Sequence, residues 1–166
     1  MKPQDFFNKY GPYALDAQNR YNIPASITLA QAALESGWGE SGLTKTANNF
    51  FGIKDQANDE WYGAYIEMNT GEVFNGQNVT IKSRFRNYAD AGEGFKDHAS
   101  FLLKNKRYKS LFDININEPN YWIKWAQGLK AAGYATALNY DSTLINLITK
   151  YRLTEWDQKA IKKKSS

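Results

Sequence analysis

Residues 24–36 of this chain, PASITLAQAALES, form a helix only where the rest of the molecule can enclose it. The run opens on a proline suited to a first helical turn, is rich in alanine and leucine, and stops at Gly37 and Gly39. It reads as a buried helix over about 24–36. No cysteine occurs in the 166 residues, so no disulfide can staple the fold and packing alone must hold it. That length suits one domain with one core.

Composition removes several functions. Without cysteine there is no thiol nucleophile and no cysteine-ligated zinc, and the single histidine, His98, is flanked by no metal or triad motif and reads as a structural residue. No metal and no cofactor are expected. The net charge of +4 would suit an acidic polymer, but Lys159, Lys162, Lys163 and Lys164 crowd the last eight residues. The body is then nearly neutral and no nucleic-acid motif is present, so binding to nucleic acid is not expected. The first residues contain no apolar run of leader or membrane-span length, which implies that export follows another route or that a leader lies outside this chain.

Apolar residues at Phe6, Tyr10, Ala14, Ala17 and Tyr21 predict an amphipathic helical region interrupted or restarted at Gly11-Pro12. From Gly37 to about Tyr62 the glycines and paired asparagines predict loop structure. Between Ala64 and Asn87 the pattern changes. Tyr65–Met68, turn residues, and then Val79, Ile81, Ser83 and Phe85 alternating with Thr80, Lys82, Arg84 and Arg86 predict a small antiparallel hairpin or three-stranded lobe. Helices return at about 90–105, with Phe95, Ala99, Leu102 and Leu103 inward, at 119–132 with Gly133 closing it, and at about 140–151. The fold class is α+β and mainly helical, a helical lobe and a small antiparallel β lobe flanking a cleft. Residues 3–153 are the expected domain, and 154–166 a solvated basic tail.

Carboxylates are the remaining acid-base groups, and Glu35 stands out. It falls in the last turn of an apolar helix, facing the negative end of the helix dipole, which disfavours its charge. That field, with desolvation by neighbours such as Leu34 and Trp38, raises a carboxyl toward the range of a general acid. An exposed helix-end glutamate tolerated at small cost would look the same in sequence.

The run Ala30-Gln31-Ala32-Ala33-Leu34-Glu35-Ser36-Gly37-Trp38-Gly39 resembles the A-Q-x-x-L-E-S-x-W-G pattern of the glucosaminidase family, which contains flagellar peptidoglycan hydrolases and bacterial autolysins. The resemblance continues through Asn48-Asn49-Phe50-Phe51-Gly52-Ile53-Lys54, Trp61 and Gly63, Thr70-Gly71-Glu72, Phe85-Arg86-Asn87-Tyr88 and Gly133-Tyr134-Ala135-Thr136. It covers about 6–151. One departure follows Tyr134: Ala137-Leu138-Asn139 stand before Tyr140 where the family often has Asp-Pro.

The resemblance implies a lysozyme-like fold and an endo-β-N-acetylglucosaminidase that cuts the β-1,4 bond between N-acetylglucosamine and N-acetylmuramic acid. It implies Glu35 as general acid, Glu72 in the β lobe as base or electrostatic support, and Tyr134 near the acid. From the residues alone Glu72 is poorly distinguished from Glu67, Glu60 or Asp59. Asn49, Phe50, Trp61 and Tyr140 are candidate substrate contacts; for Phe50 and Trp61 core packing is an equal reading, and for Trp38 and Phe51 the favoured one. Alternatives are a muramidase or lytic transglycosylase on a similar fold, or a wall-binding domain without activity. The expected partner is the peptidoglycan glycan strand, met at the cell wall by a monomer.

Overall fold

Helix α2 (Ala25–Glu35) is the axis around which the protein is built: Ala25 through Ala33 are all buried. The structure, a computed structural model, describes residues 1–56 and 61–165. Helix α1 (Pro3–Tyr21) packs along α2, followed after it by the short α3 (Gly42–Ala47), the hairpin β1 (Tyr65–Phe74) and β2 (Gln77–Arg86), and α4 (Ala91–Lys104). A 3-10 segment (Lys106–Asp113) leads to α5 (Tyr121–Ala131), α6 (Tyr140–Lys150) and α7 (Thr154–Ser165). The fold is mainly helical with one two-stranded antiparallel sheet.

Three expectations are corrected. First, α1 is continuous through Gly11 and Pro12. Pro12 lies on the exposed side, where the carbonyl it frees on Asn8 meets water, so the lost bond is tolerated. Gly11 is there for space, since a Cβ would stand 2.2 Å from the Trp156 ring of α7. Second, the segment from Thr154 forms a helix, α7, where a solvated tail was expected. Leu153, Asp157 and Ala160 are buried, and α7 lies against α1 and α2. The polar pattern of the segment hid one inward face. Third, Leu103 is half exposed, and His98 takes the inward position on α4 instead.

The sheet is one hairpin with ten residues in each strand. Phe74 pairs with Gln77 across Asn75 and Gly76, both at positive φ, the geometry of a tight type I′ turn. Thr70-Gly71-Glu72, expected in a turn, therefore lie within β1, where Glu72 faces Val79. Ile66, Met68, Thr70 and Glu72 share the more sheltered face, and Glu67 the exposed one. The tip, at Val73 and Phe74, projects into solvent, while Ser83, Phe85 and Arg86 bury the base.

The expected loop 37–62 holds α3, capped by the Ser41 side chain on the Thr44 N–H. Its core end is an aromatic cluster in which Phe50 meets Tyr10 at 4.7 Å and Phe95 at 5.3 Å.

Candidate active site

Glu35 is the last residue of α2, and the chain turns sharply after it. Gly37, Trp38 and Gly39 are successive residues at positive φ. For Trp38 this conformation costs about 1–2 kcal/mol. Its ring is held against Phe6 at 5.6 Å, Phe7 at 5.5 Å and Tyr151 at 5.4 Å, which opposes that strain. Ser36 Oγ accepts the Gly39 N–H at 2.8 Å and tightens the turn. Strained backbone beside an acidic side chain is a pattern of functional sites. The Glu35 carboxyl is only partly exposed, and burial pushes its pKa up while a hydrogen bond from Tyr140 opposes the rise.

Tyr140, at the start of α6, is buried. Its hydroxyl accepts a hydrogen bond from Gln31 Nε2 at 2.8 Å and lies close enough to Glu35 to feel its charge. Gln31 is four residues before Glu35, hence on the same side of α2. Gln31 Oε1 in turn meets His98 Nε2 at 2.9 Å, and the His98 ring stacks on Phe51 at 3.8 Å. Tyr134 stacks on Tyr140 at 5.7 Å and 17° and lies close enough to feel the Glu35 charge. The Tyr134 ring is half-buried, but its hydroxyl is buried and meets no protein partner among the described residues.

Glu72 lies on the sheltered face of β1, where Lys54 Nζ stands 3.5 Å from one carboxylate oxygen. Thr70 Oγ1 approaches that oxygen at 3.5 Å. Glu67 is on the opposite face, and Asp59 and Glu60 lie outside the described residues. A hollow of about 280 Å³ runs between Lys54 and Tyr134, joining the side chain that pairs Glu72 to the one that neighbours Glu35. Its wall at Phe101 and Asn105 is shared with a wider groove of about 940 Å³ that reaches Trp61. Trp61 is partly exposed on the rim, its Nε1–H donating to Ala64 O at 2.9 Å and the Arg86 guanidinium 5.0 Å from its ring.

Two candidate substrate contacts are structural instead. Asn49 is buried, its Nδ2 donating to Ile53 O at 3.0 Å and Arg86 O at 2.9 Å while Oδ1 accepts from Phe51 N and Ile53 N. All its hydrogen-bonding capacity ties loop 49–53 to the end of β2. Phe50 is 3% exposed in the aromatic core. Gln31 and His98 were missed as parts of the site: the spacing to Glu35 pointed to Gln31, but nothing in the sequence near His98 says that α4 carries it there.

The geometry therefore joins a partly desolvated carboxyl to a tyrosine shell, while Glu72 on the hairpin pairs with Lys54, a residue that lines the hollow. Among the described residues no group of acidic or histidine side chains could hold a metal ion, and no helix is long and apolar enough to cross a membrane.

The comparisons agree with this arrangement. Residues 11–153 match the family model Glucosaminidase, described as mannosyl-glycoprotein endo-beta-N-acetylglucosaminidase. Exo-glucosaminidase LytG of Bacillus subtilis is 34% identical over 155 residues, 93% of this chain and 54% of that protein. Peptidoglycan hydrolase FlgJ of Vibrio cholerae is 36% identical over 146 residues, 86% of this chain and 42% of that protein. The chain thus spans about half the length of these relatives. The catalytic domain of the autolysin Auto from Listeria monocytogenes superposes with a TM-score of 0.79 at 33% identity, covering 93% of this chain and 86% of that one. The glycoside hydrolase domain of Salmonella typhimurium FlgJ gives 0.70 at 32% identity, covering 91% and 98%. With a family model matching residues 11–153, most of its length, the chain belongs to the glucosaminidase family.

Proposed function

We propose that the protein is a peptidoglycan hydrolase that cleaves the β-1,4 bond between N-acetylglucosamine and N-acetylmuramic acid, leaving N-acetylglucosamine at the new reducing end. The observation that carries this is the setting of Glu35: a partly exposed carboxyl at the end of a buried helix, with its pKa raised by burial. A raised pKa favours the protonated form, which is the form that can give a proton to a glycosidic oxygen. The relatives named as peptidoglycan hydrolases support the polymer, and those named as glucosaminidases support the bond.

Glu35 protonates the departing glycosidic oxygen. Charge then develops on the sugar ring, and Glu72 supports it electrostatically or takes a proton from the attacking water. Tyr134, beside Glu35 and with a buried hydroxyl that meets no protein partner among the described residues, can hold a water near the acid. The two hollows that share Phe101 and Asn105 in their walls offer room for more than one sugar. The Trp61 ring offers a face for one of them. The protein would then act at the cell wall, on glycan strands and as a monomer. The domain would comprise residues 3 to about 162, the docked α7 included.

The test is digestion of purified peptidoglycan, borohydride reduction and mass spectrometry. Reduced N-acetylglucosamine ends are expected. Reduced N-acetylmuramic acid ends would make the protein a muramidase, anhydro-muramic ends a transglycosylase, and no ends at all a wall-binding domain.

A further inference from the structure

His98 is fully buried, and the proposed chemistry does not use it. Its surroundings fix where its proton goes. Burial pushes its pKa down to about 3, so the ring is neutral across the working range and carries one N–H. Nε2 faces Gln31 Oε1 at 2.9 Å, whereas Nδ1 meets no protein acceptor among the described residues. A buried N–H without an acceptor costs more than a bare lone pair that is left alone, so the proton sits on Nε2.

The remaining protons follow in order. With Oε1 held by His98, the Gln31 amide presents Nε2–H to Tyr140 Oη at 2.8 Å. A tyrosine has one proton, and an oxygen already accepting from Gln31 is free to give that proton elsewhere. The Glu35 carboxyl lies close enough to that hydroxyl for each to shift the other's pKa, and it is the acceptor to which the proton can turn. Turned over, the same amide would place Oε1 against Tyr140 and draw the proton away from Glu35.

We infer that His98 and Gln31 are positioning residues for the general acid: the His98 Nε2–H fixes the orientation of the Gln31 amide, and that orientation commits the Tyr140 proton to Glu35. The inference rests on the reading of Glu35 as the acid. The chain runs from α4 through α2 to α6, so three helices must be docked before Glu35 has its donor. The stack of His98 on Phe51 ties it also to the loop beneath the hairpin. The described titratable groups facing it are Tyr134, which stacks on Tyr140 and lies edge-on to His98, then Tyr108 and Tyr88, with Arg107 over the Tyr108 ring. Burial pushes all these tyrosines up, Tyr140 included, away from the carboxyl range.

The experiment is a carbon-13 carboxyl NMR titration of Glu35, assigned by its loss in Glu35→Gln, in the wild type, His98→Phe and His98→Gln. Phenylalanine keeps the stack on Phe51 but has no donor; glutamine brings an N–H back. Loss of a donor to the ionised carboxylate raises its pKa. His98→Phe is therefore expected to move the Glu35 midpoint up by about one unit, the worth of one hydrogen bond to a charge. His98→Gln should return it toward the wild-type value. In a Tyr140→Phe background His98→Phe should have no further effect, because the proton it directs is gone. If His98→Phe does not fold, His98→Met, flexible and without a strong donor, takes its place.

A midpoint that stays put in His98→Phe while Tyr140→Phe moves it would overturn the inference, as would an equal shift in His98→Gln. The alkaline limb of turnover on peptidoglycan should rise with the midpoint. Wild type that releases no reducing ends, with the NMR shifts as expected, would defeat the hydrolase reading and leave the proton order standing; turnover with unmoved midpoints would do the reverse.

Discussion

Asp157 Oδ1 accepts the Ser26 N–H at 2.7 Å, so a residue of the last helix caps the first turn of the helix that ends on Glu35. The Ser26 hydroxyl donates to Oδ2 at 2.6 Å and the Tyr121 hydroxyl at 2.5 Å. Gln18 Oε1 accepts the neighbouring Ala25 N–H at 2.9 Å, and Gln18 Nε2 donates to the Asp157 carbonyl at 3.1 Å. Pro24, at the cap position, supplies no side-chain bond, so α1 and α7 satisfy from outside what the local sequence leaves open. Asp157→Ala strands three buried donors and is expected to cost about 3 kcal/mol or more. Urea unfolding of the variant checks this, and a chain stopped after Leu153 should lose cooperative thermal unfolding by circular dichroism.

The same carboxyl makes stability depend on pH. Burial raises Asp157 to about 6 against the hydrogen bonds that oppose it. Its folded pKa is above the unfolded one, so its contribution is full below about pH 4 and is lost as pH rises through about 6. From the printed shift, up to about 3 kcal/mol is involved. Glu35, also raised, acts in the same direction. Urea midpoints at pH 4, 5, 6 and 7 should fall with pH, and the slope should be shallower in Asp157→Asn.

Asn49→Ala separates a structural asparagine from a substrate contact. Four backbone groups each lose a hydrogen bond, and of these Ile53 O keeps one from the Arg86 N–H. The expected loss is about 3 kcal/mol in unfolding, with KM unchanged at a temperature where the variant is folded. A raised KM at unchanged melting temperature would restore the substrate role.

Apolar spacing and terminator residues revealed α2, α4, α5 and α6, because each buries a stripe of the same period as the helix. The cap of α2 was hidden, since it comes from Asp157, 131 positions away from Ser26. The α7 helix was hidden for the same reason: it buries Asp157 and Ala160 and shows lysines elsewhere, so no apolar stripe marks it. Glu35 was legible from its helix-end position. The sites of Asn49 and Tyr140 were legible only as positions in a motif, because what a polar side chain bonds to depends on which distant strand or helix meets it.

Glu72→Gln tests the second carboxylate. Its pairing with Lys54 at 3.5 Å is between two partly exposed groups and is worth about 1 kcal/mol at most. Stability should therefore hardly change. If Glu72 serves as base or electrostatic support, kcat on peptidoglycan should drop about 100-fold with KM nearly constant. An unchanged kcat together with anhydro-muramic products would point to a single-carboxylate transglycosylase.

Glu35→Gln should separate catalysis from folding most sharply. Glutamine has the size of the carboxyl and can still accept from Tyr140, so the packing around Gln31, Tyr140 and Tyr134 is kept. It cannot supply a proton, and turnover is expected to fall about 10²- to 10⁴-fold. The charge it removes sits at the C-terminal end of α2, against the helix dipole and partly out of water. The variant should therefore be as stable as the wild type at neutral pH or more so, by a few tenths to about 1 kcal/mol. Parallel measurement of reducing-end release and thermal unfolding at pH 7 decides it: lost activity with an equal or higher melting temperature fits a functional acid held at some cost to the fold. Lost stability instead would mark Glu35 as a structural residue.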